Sequence, residues 1–191
     1  RRIHVFGGVD AQANCDVDTH WVYDLDAPQR GWSDLAASSP FPMPRNHFGT
    51  VALDGLIYAV GGQRGHGNCD SLTRQRQQVA WVHVYDPARD EWRRLGNLPW
   101  TQSHAEPSTF VHAGRIWSVG GFTNSDRVLS YEAASDTWTW RRDLDLPSRL
   151  FAAGSRIVDG KLYLFGGGIP TVNNPQKSTW VTDVPGLTAD A

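Results

Sequence analysis

The sequence predicts an all-β β-propeller, and two observations carry that prediction. The first is an apolar run that ends in a glycine pair and returns four times: Ile3-His4-Val5-Phe6-Gly7-Gly8, Leu56-Ile57-Tyr58-Ala59-Val60-Gly61-Gly62, Arg115-Ile116-Trp117-Ser118-Val119-Gly120-Gly121 and Lys161-Leu162-Tyr163-Leu164-Phe165-Gly166-Gly167. From first glycine to first glycine the steps are 54, 59 and 46 residues, near the roughly 50 residues of one propeller blade. The second is a pair of aromatic markers downstream of the glycines. A run ending in Tyr-Asp or Tyr-Glu comes next and a tryptophan after it: Tyr23-Asp24 and Trp32, Tyr85-Asp86 and Trp92, Tyr131-Glu132 and Trp138, with Tyr-to-Trp steps of 9, 7 and 7.

Each marker has a physical reason. Paired glycines at a strand end take positive φ without a Cβ penalty and suit a place where a neighbouring blade leaves little room. Tyrosine and tryptophan fill the space between blades and can set an OH or NH on a nearby acceptor, so these aromatics are expected to be scaffold. The fixed order of glycine pair, Tyr-Asp and Trp, three times over, resembles the kelch repeat across nearly the whole chain. That resemblance implies a ring of six or seven blades, which at about 50 residues each needs about 300 residues. The 191 residues hold about three and a half four-stranded blades, or half a ring. The remainder is expected from a missing segment or another chain, because a half ring exposes two blade faces.

Taken in order, the blades read as residues 1–38, 45–97, 104–144 and 149–184, with a tail at 185–191. The first lacks its innermost strand and carries a long loop with Asn14-Cys15-Asp16. A proline-rich crossover, Pro40-Phe41-Pro42-Met43-Pro44, leads to the second, since proline suits a connection and not a central strand. Asp54-Gly55, Ala113-Gly114 and Asp159-Gly160 sit between apolar runs and predict hairpin turns. The polar loop 63–78 is longer than a blade needs, and long loops on a rigid scaffold are where function concentrates. Counted back from the glycine pairs, His104 matches Arg45 and Glu106 matches His47.

Composition bounds the function. The chain is 40% hydrophobic and 20% charged with net charge −2, an ordinary globular balance. No basic cluster favours nucleic acid or an anionic membrane surface, and no run approaches the ~18 apolar residues of a membrane span.

Strand direction places Arg45, His47, His104, Glu106 and Arg149 on one face with the loops carrying Cys15, Arg64, His66, Cys69, Asp70 and Arg127. That polar face is the expected ligand-binding surface. His104 and Glu106 are two apart and would point the same way from a strand. Arg45 and Arg149 are expected to bond between blades, as kelch arginines do. Cys15 and Cys69 both sit in Asn-Cys-Asp, 54 residues apart; a disulfide between neighbouring loops and two unpaired thiols are both open, the former implying an extracellular or periplasmic protein and the latter allowing a cytoplasmic one. No cofactor is expected. His66, Cys69, Asp70, Cys15, Asp16 and His20 offer metal ligands in two adjacent loops but form no four-ligand zinc signature. Plant kelch proteins that redirect glucosinolate breakdown hold iron with Glu, Asp and His spaced four apart; Gln12, Asp16 and His20 have the spacing but not the first ligand.

These residues predict a non-enzymatic recognition or scaffold module that binds a glycan or a protein through the loop face. The kelch resemblance allows two alternatives. One is a sugar-processing enzyme of the sialic acid mutarotase type, with Arg127 as its arginine but Phe122 where an acid belongs; the other is a metal-dependent kelch enzyme.

Overall fold

A computed structural model describes residues 1–67, 75–170 and 174–187. It is all-β apart from single 3-10 turns. Four main sheets succeed one another along the chain as blades I to IV. Blade I pairs Arg2–Phe6, His20–Asp24 and Trp32–Asp34. Blade II orders Gly49–Leu53, Leu56–Val60, Val82–Asp86 and Glu91–Arg94 from the inside outward. Blade III repeats this with Thr109–His112, Arg115–Val119, Val128–Glu132 and Thr137–Trp140. Blade IV has three strands, Gly154–Val158, Lys161–Phe165 and Thr179–Asp183.

The hairpin turns form where the sequence puts them. Asp54, Ala113 and Asp159 have φ near +50° and each is followed by a glycine with φ between 69° and 78°, the double positive-φ turn that matches strand twist.

The core lies between blades. Phe6, Phe41 and Ala59 pack at the first seam. Val51, Tyr58, Val84, Ile116, Leu129 and Tyr131 fill the second, and Phe110, Trp117, Leu150, Ile157, Leu162 and Leu164 the third. Outer aromatics brace blades I to III: the Tyr23–Trp32, Tyr85–Trp92 and Tyr131–Trp138 ring centroids are 5.3, 5.1 and 4.8 Å apart. Tyr85 and Tyr131 also donate to Asp90 and Asp136 at 2.6 and 2.8 Å. The outer faces of the end blades stay open, with Val5 51% and Val181 57% exposed.

The glycine pairs join the blades. In the first three pairs the second glycine donates its N–H to a carbonyl of the next blade: Gly8 to Arg45 at 3.0 Å, Gly62 to Gln102 at 2.7 Å and Gly121 to Leu150 at 3.1 Å. A Cβ on Gly61 would meet the Gln102 carbonyl oxygen at 2.4 Å, and one on Gly120 the Leu150 oxygen at 2.5 Å. These contacts also fix the register between blades. Arg45, Gln102 and Leu150 are equivalent, so His104 matches His47, which corrects the sequence count. Blade III has two more residues than its neighbours before its inner strand, wound into a 3-10 turn at Glu106–Ser108.

Arg45 is fully buried and belongs to the scaffold. It donates to the carbonyls of Gly61, Pro42, Met43 and Ala59 and to His83 Nδ1 at 3.2 Å, with Phe41 and Phe48 rings 4.5 and 5.3 Å from its guanidinium. Burial, then Arg94, draws its pKa down to about 9. Burial, then the Arg45 and Arg94 charges, draws His83 down to about 3; burial and His20 draw His4 down to about 4.

This packing can be tested by substitution and by pH. Gly61→Ala combines φ +65° with a backbone clash and is expected to cost about 2–4 kcal/mol in urea unfolding. Gly55→Ala, at φ +78° with open space around it, is expected to cost about 1–2 kcal/mol; equal losses would rule out the blade contact as the cause. For pH, both histidines have depressed folded pKa values, so the unfolded chain binds more protons below about pH 6.5. Their contribution is complete above that value and declines as pH falls toward 4 for His4 and 3 for His83. His83→Gln keeps an acceptor for Arg45, and should remove about 1–2 kcal/mol of the stability lost between pH 7 and pH 5. An undiminished loss in the variant would contradict this assignment.

Candidate functional site

Three residues, one per blade, take the left-handed conformation beside the axis: His47, His104 and Ala152, with φ of 51°, 56° and 52°. Histidine tolerates this region better than most side chains. Their backbones link in series, His104 N–H to His47 O at 3.0 Å and Ala152 N–H to His104 O at 2.7 Å. Equivalent backbone positions hold the two imidazoles in one stack, centroids 3.9 Å apart and planes within 16°.

The extra turn of blade III completes the group. It sets Glu106 Oε1 2.7 Å from His47 Nδ1. His104 Nδ1 lies 2.7 Å from Ser103 Oγ, whose hydroxyl donates to Gln78 Oε1. Phe122 and Phe151 stand beside His104 with ring centroids 5.5 and 5.7 Å away. Asn46, His47, Phe48 and Glu106 line an open cleft of about 440 Å³ that runs on past His4 and Phe6.

Charge at this site is set locally. Burial would raise the Glu106 pKa, but the His47 hydrogen bond, its own backbone N–H and the neighbouring imidazoles together hold it below the usual carboxylate value. Burial and His47 lower His104 below the usual histidine value. The group thus presents a carboxylate beside a neutral His104 at neutral pH.

The other predicted residues lie apart from this group. Arg64 faces the Trp81 ring at 5.4 Å. His66 donates its backbone N–H to Asp16 Oδ2 at 3.0 Å and faces Arg76 through Nε2 at 3.4 Å. Arg127 is sandwiched by Trp100 and Trp140 at 4.9 and 4.2 Å, so its guanidinium serves the blade seam and not a sugar at the axis. Arg149 is exposed, not in the Arg45 position, and donates Nε–H to Ser125 Oγ at 3.1 Å. Cys15 is buried and is not a free thiol. Cys69 and Asp70 lie outside the described residues. Asp16 is held by Asn46 and His66, His20 is fully buried, and among the described residues no three potential ligands converge on one point.

Sequence reasoning missed Asn46, Ser103, Gln78, Phe122 and Phe151. One signal was present: Glu106-Pro107 suits the start of a 3-10 turn and marks the insertion.

Comparison with known proteins agrees with this architecture. Residues 1–167 match the model of the KLHDC2/KLHL20/DRC7 Kelch-repeats domain. The chain is 30% identical over 171 residues to Kelch repeat and BTB domain-containing protein 1 of ectromelia virus, covering 86% of this chain and 27% of that protein. It is 29% identical over 133 residues to mouse Kelch-like protein 35, covering 69% and 20%. The chain thus spans about a quarter of the length of these relatives. The solved structure of YjhT superposes with a TM-score of 0.70 at 18% identity, covering 98% of this chain and 64% of that one, a likeness of fold. With glycine pairs that join blade to blade and a family match over residues 1–167, the chain belongs to the KLHDC2/KLHL20/DRC7 Kelch-repeats domain family.

Proposed function

We propose that this chain is a non-enzymatic recognition module that binds a protein ligand on its loop face at the axis. The observation that carries the reading is the His47, His104 and Glu106 group, assembled at one seam by a two-residue insertion and held on rigid backbone. Polar groups fixed on a scaffold beside a partly exposed aromatic, here Phe122 at 40%, are the usual make-up of a recognition surface. Relatives named for their repeats and a BTB domain, and not for a reaction, support a protein ligand over a glycan. The open faces of blades I and IV suit further propeller surface, from a longer chain or a second one.

A disulfide between Cys15 and Cys69 would clamp the rim of this face. The two are the chain's cysteines, and the space beside Gly67 is filled by the Asn14 carbonyl, with Cys15 Sγ 3.7 Å away, so the two loops lean together. Such a bridge persists in an oxidising compartment and would fit a protein that works outside the cytosol. Alkylating the denatured, unreduced chain should add no mass; two added groups would exclude the bridge.

Peptide display against the full chain tests the recognition reading. Selected peptides should lose at least about tenfold in affinity on His104→Ala or Glu106→Gln, each a change at a hydrogen-bonded group worth about 1.5–3 kcal/mol, and lose nothing on Asp159→Asn across the propeller. Peptides indifferent to the axial changes, or glycans bound in their place, would overturn it.

A further inference from the structure

Blade IV departs from the outer brace that the other three blades share. In blades I to III the residue paired with the isoleucine four places before the glycine pair is a tyrosine: Tyr23 opposite Ile3, Tyr85 opposite Ile57 and Tyr131 opposite Ile116. On its other side each tyrosine meets a tryptophan of the outer strand, Trp32, Trp92 or Trp138. The equivalent place in blade IV, opposite Leu162, holds Thr182. The tryptophan follows its tyrosine by nine or seven residues, and nine or seven residues past Thr182 the sequence has Ala191 and Ala189. Neither ring of the brace is coded for this blade.

A cavity of about 230 Å³ marks the spot, between Leu144 and Leu146 of the crossover, Leu162 and Leu164 of the second strand, and Trp180 and Thr182 of the third. In blade III the matching space is filled by Trp138, which packs with Leu95 and Trp100 of the preceding crossover. Trp180 beside the cavity is 39% exposed. Among the described residues its strand, Thr179–Asp183, pairs on one side only, with Lys161–Phe165. At the two ends of that pairing Gly166 N–H bonds to Ser178 O at 3.2 Å and Val184 N–H to Gly160 O at 2.8 Å. Antiparallel bonds alternate along a strand, so the N–H and C=O groups of Thr179, Val181 and Asp183 point to the free side. A free edge of this kind is a template for another strand.

This edge is complementary to itself. With a twofold axis at Val181, the two Val181 residues exchange N–H···O=C bonds, and all five residues of the strand find partners. Thr179 then lies opposite Asp183 of the other copy, so no like charges meet. Trp180 lies opposite Thr182 of the other copy, in the same relation that joins Trp138 to Tyr131 within blade III. Each copy thus carries the indole that the other's sequence omits.

We propose that a second copy of this chain adds its Thr179–Asp183 strand antiparallel to this edge, with Trp180 of each copy entering the cavity beside Thr182 of the other. The interface lies at the outer rim of blade IV and is independent of the axial face.

Sedimentation of the full chain at rising concentration tests this, and should show the mass of one chain giving way to that of two below millimolar concentration. Val181→Pro removes an N–H that faces the free side, a change an edge strand tolerates, and should leave a monomer whose backbone amide spectrum is otherwise that of the parent fold. Trp180→Leu should weaken the dimer at least about tenfold, as loss of a central interface tryptophan does. Leucine is what blade III holds at that place, Leu129 opposite Ser118, so the variant keeps the fold. In a mixture of isotope-labelled and unlabelled copies, the Trp180 ring protons should show intermolecular nuclear Overhauser contacts to the Thr182 methyl group. A chain that stays monomeric up to millimolar concentration, a dimer that survives Val181→Pro, or a dimer without the Trp180–Thr182 contact would each overturn the proposal.

Discussion

The hydrogen bond from the second glycine of each of the first three pairs to a carbonyl of the next blade is the contact on which the rest of the structure depends. The donating glycine takes a positive φ, and in the second and third pairs the same carbonyl of the next blade occupies the space that a Cβ on the first glycine would take. Once it forms, the position of each blade against its neighbour is set. The apolar seams can then close, and the left-handed residues at the axis come into line. A propeller blade has little core of its own, so the accuracy of this joint governs the packing of every seam.

Most of the fold was legible because its signals are local. The glycine pairs, the Asp54-Gly55 type of turn and the Tyr–Trp braces each involve residues a few positions apart. The site was legible in part. His47, His104 and Glu106 were singled out and do meet, but for a different reason from the one the spacing gave. Counting back from the glycine pair assumes equal lengths, and the two extra residues before Thr109 shifted the match. The roles of Arg45 and Arg127 depend on distant partners: His83 is 38 residues from Arg45, and Trp100 reaches Arg127 from an earlier loop. Kelch likeness suggested that Arg45 was structural; only packing shows the cage of carbonyls and rings around it.

The same burial that holds Arg45 and His83 in place separates scaffold chemistry from surface chemistry. Arg45 keeps its proton without a carboxylate partner among the described residues because four carbonyls and two aromatic faces surround it. At the axis the balance is reversed, with carboxylate and imidazole bonded to each other in a half-open setting. Groups of one chemical kind thus serve opposite ends: sealed histidine supports the blade, and half-exposed histidine faces what approaches it.

A ring of repeats offers an incoming molecule a set of near-equivalent seams, and a ligand centred on the axis would have no preferred angle. The extra turn at Glu106–Ser108 occurs in blade III and not at the matching places in blades II and IV. Pseudo-rotational symmetry is broken at that seam, so the face has a fixed bearing, and whatever binds there is held in one azimuth relative to the blades.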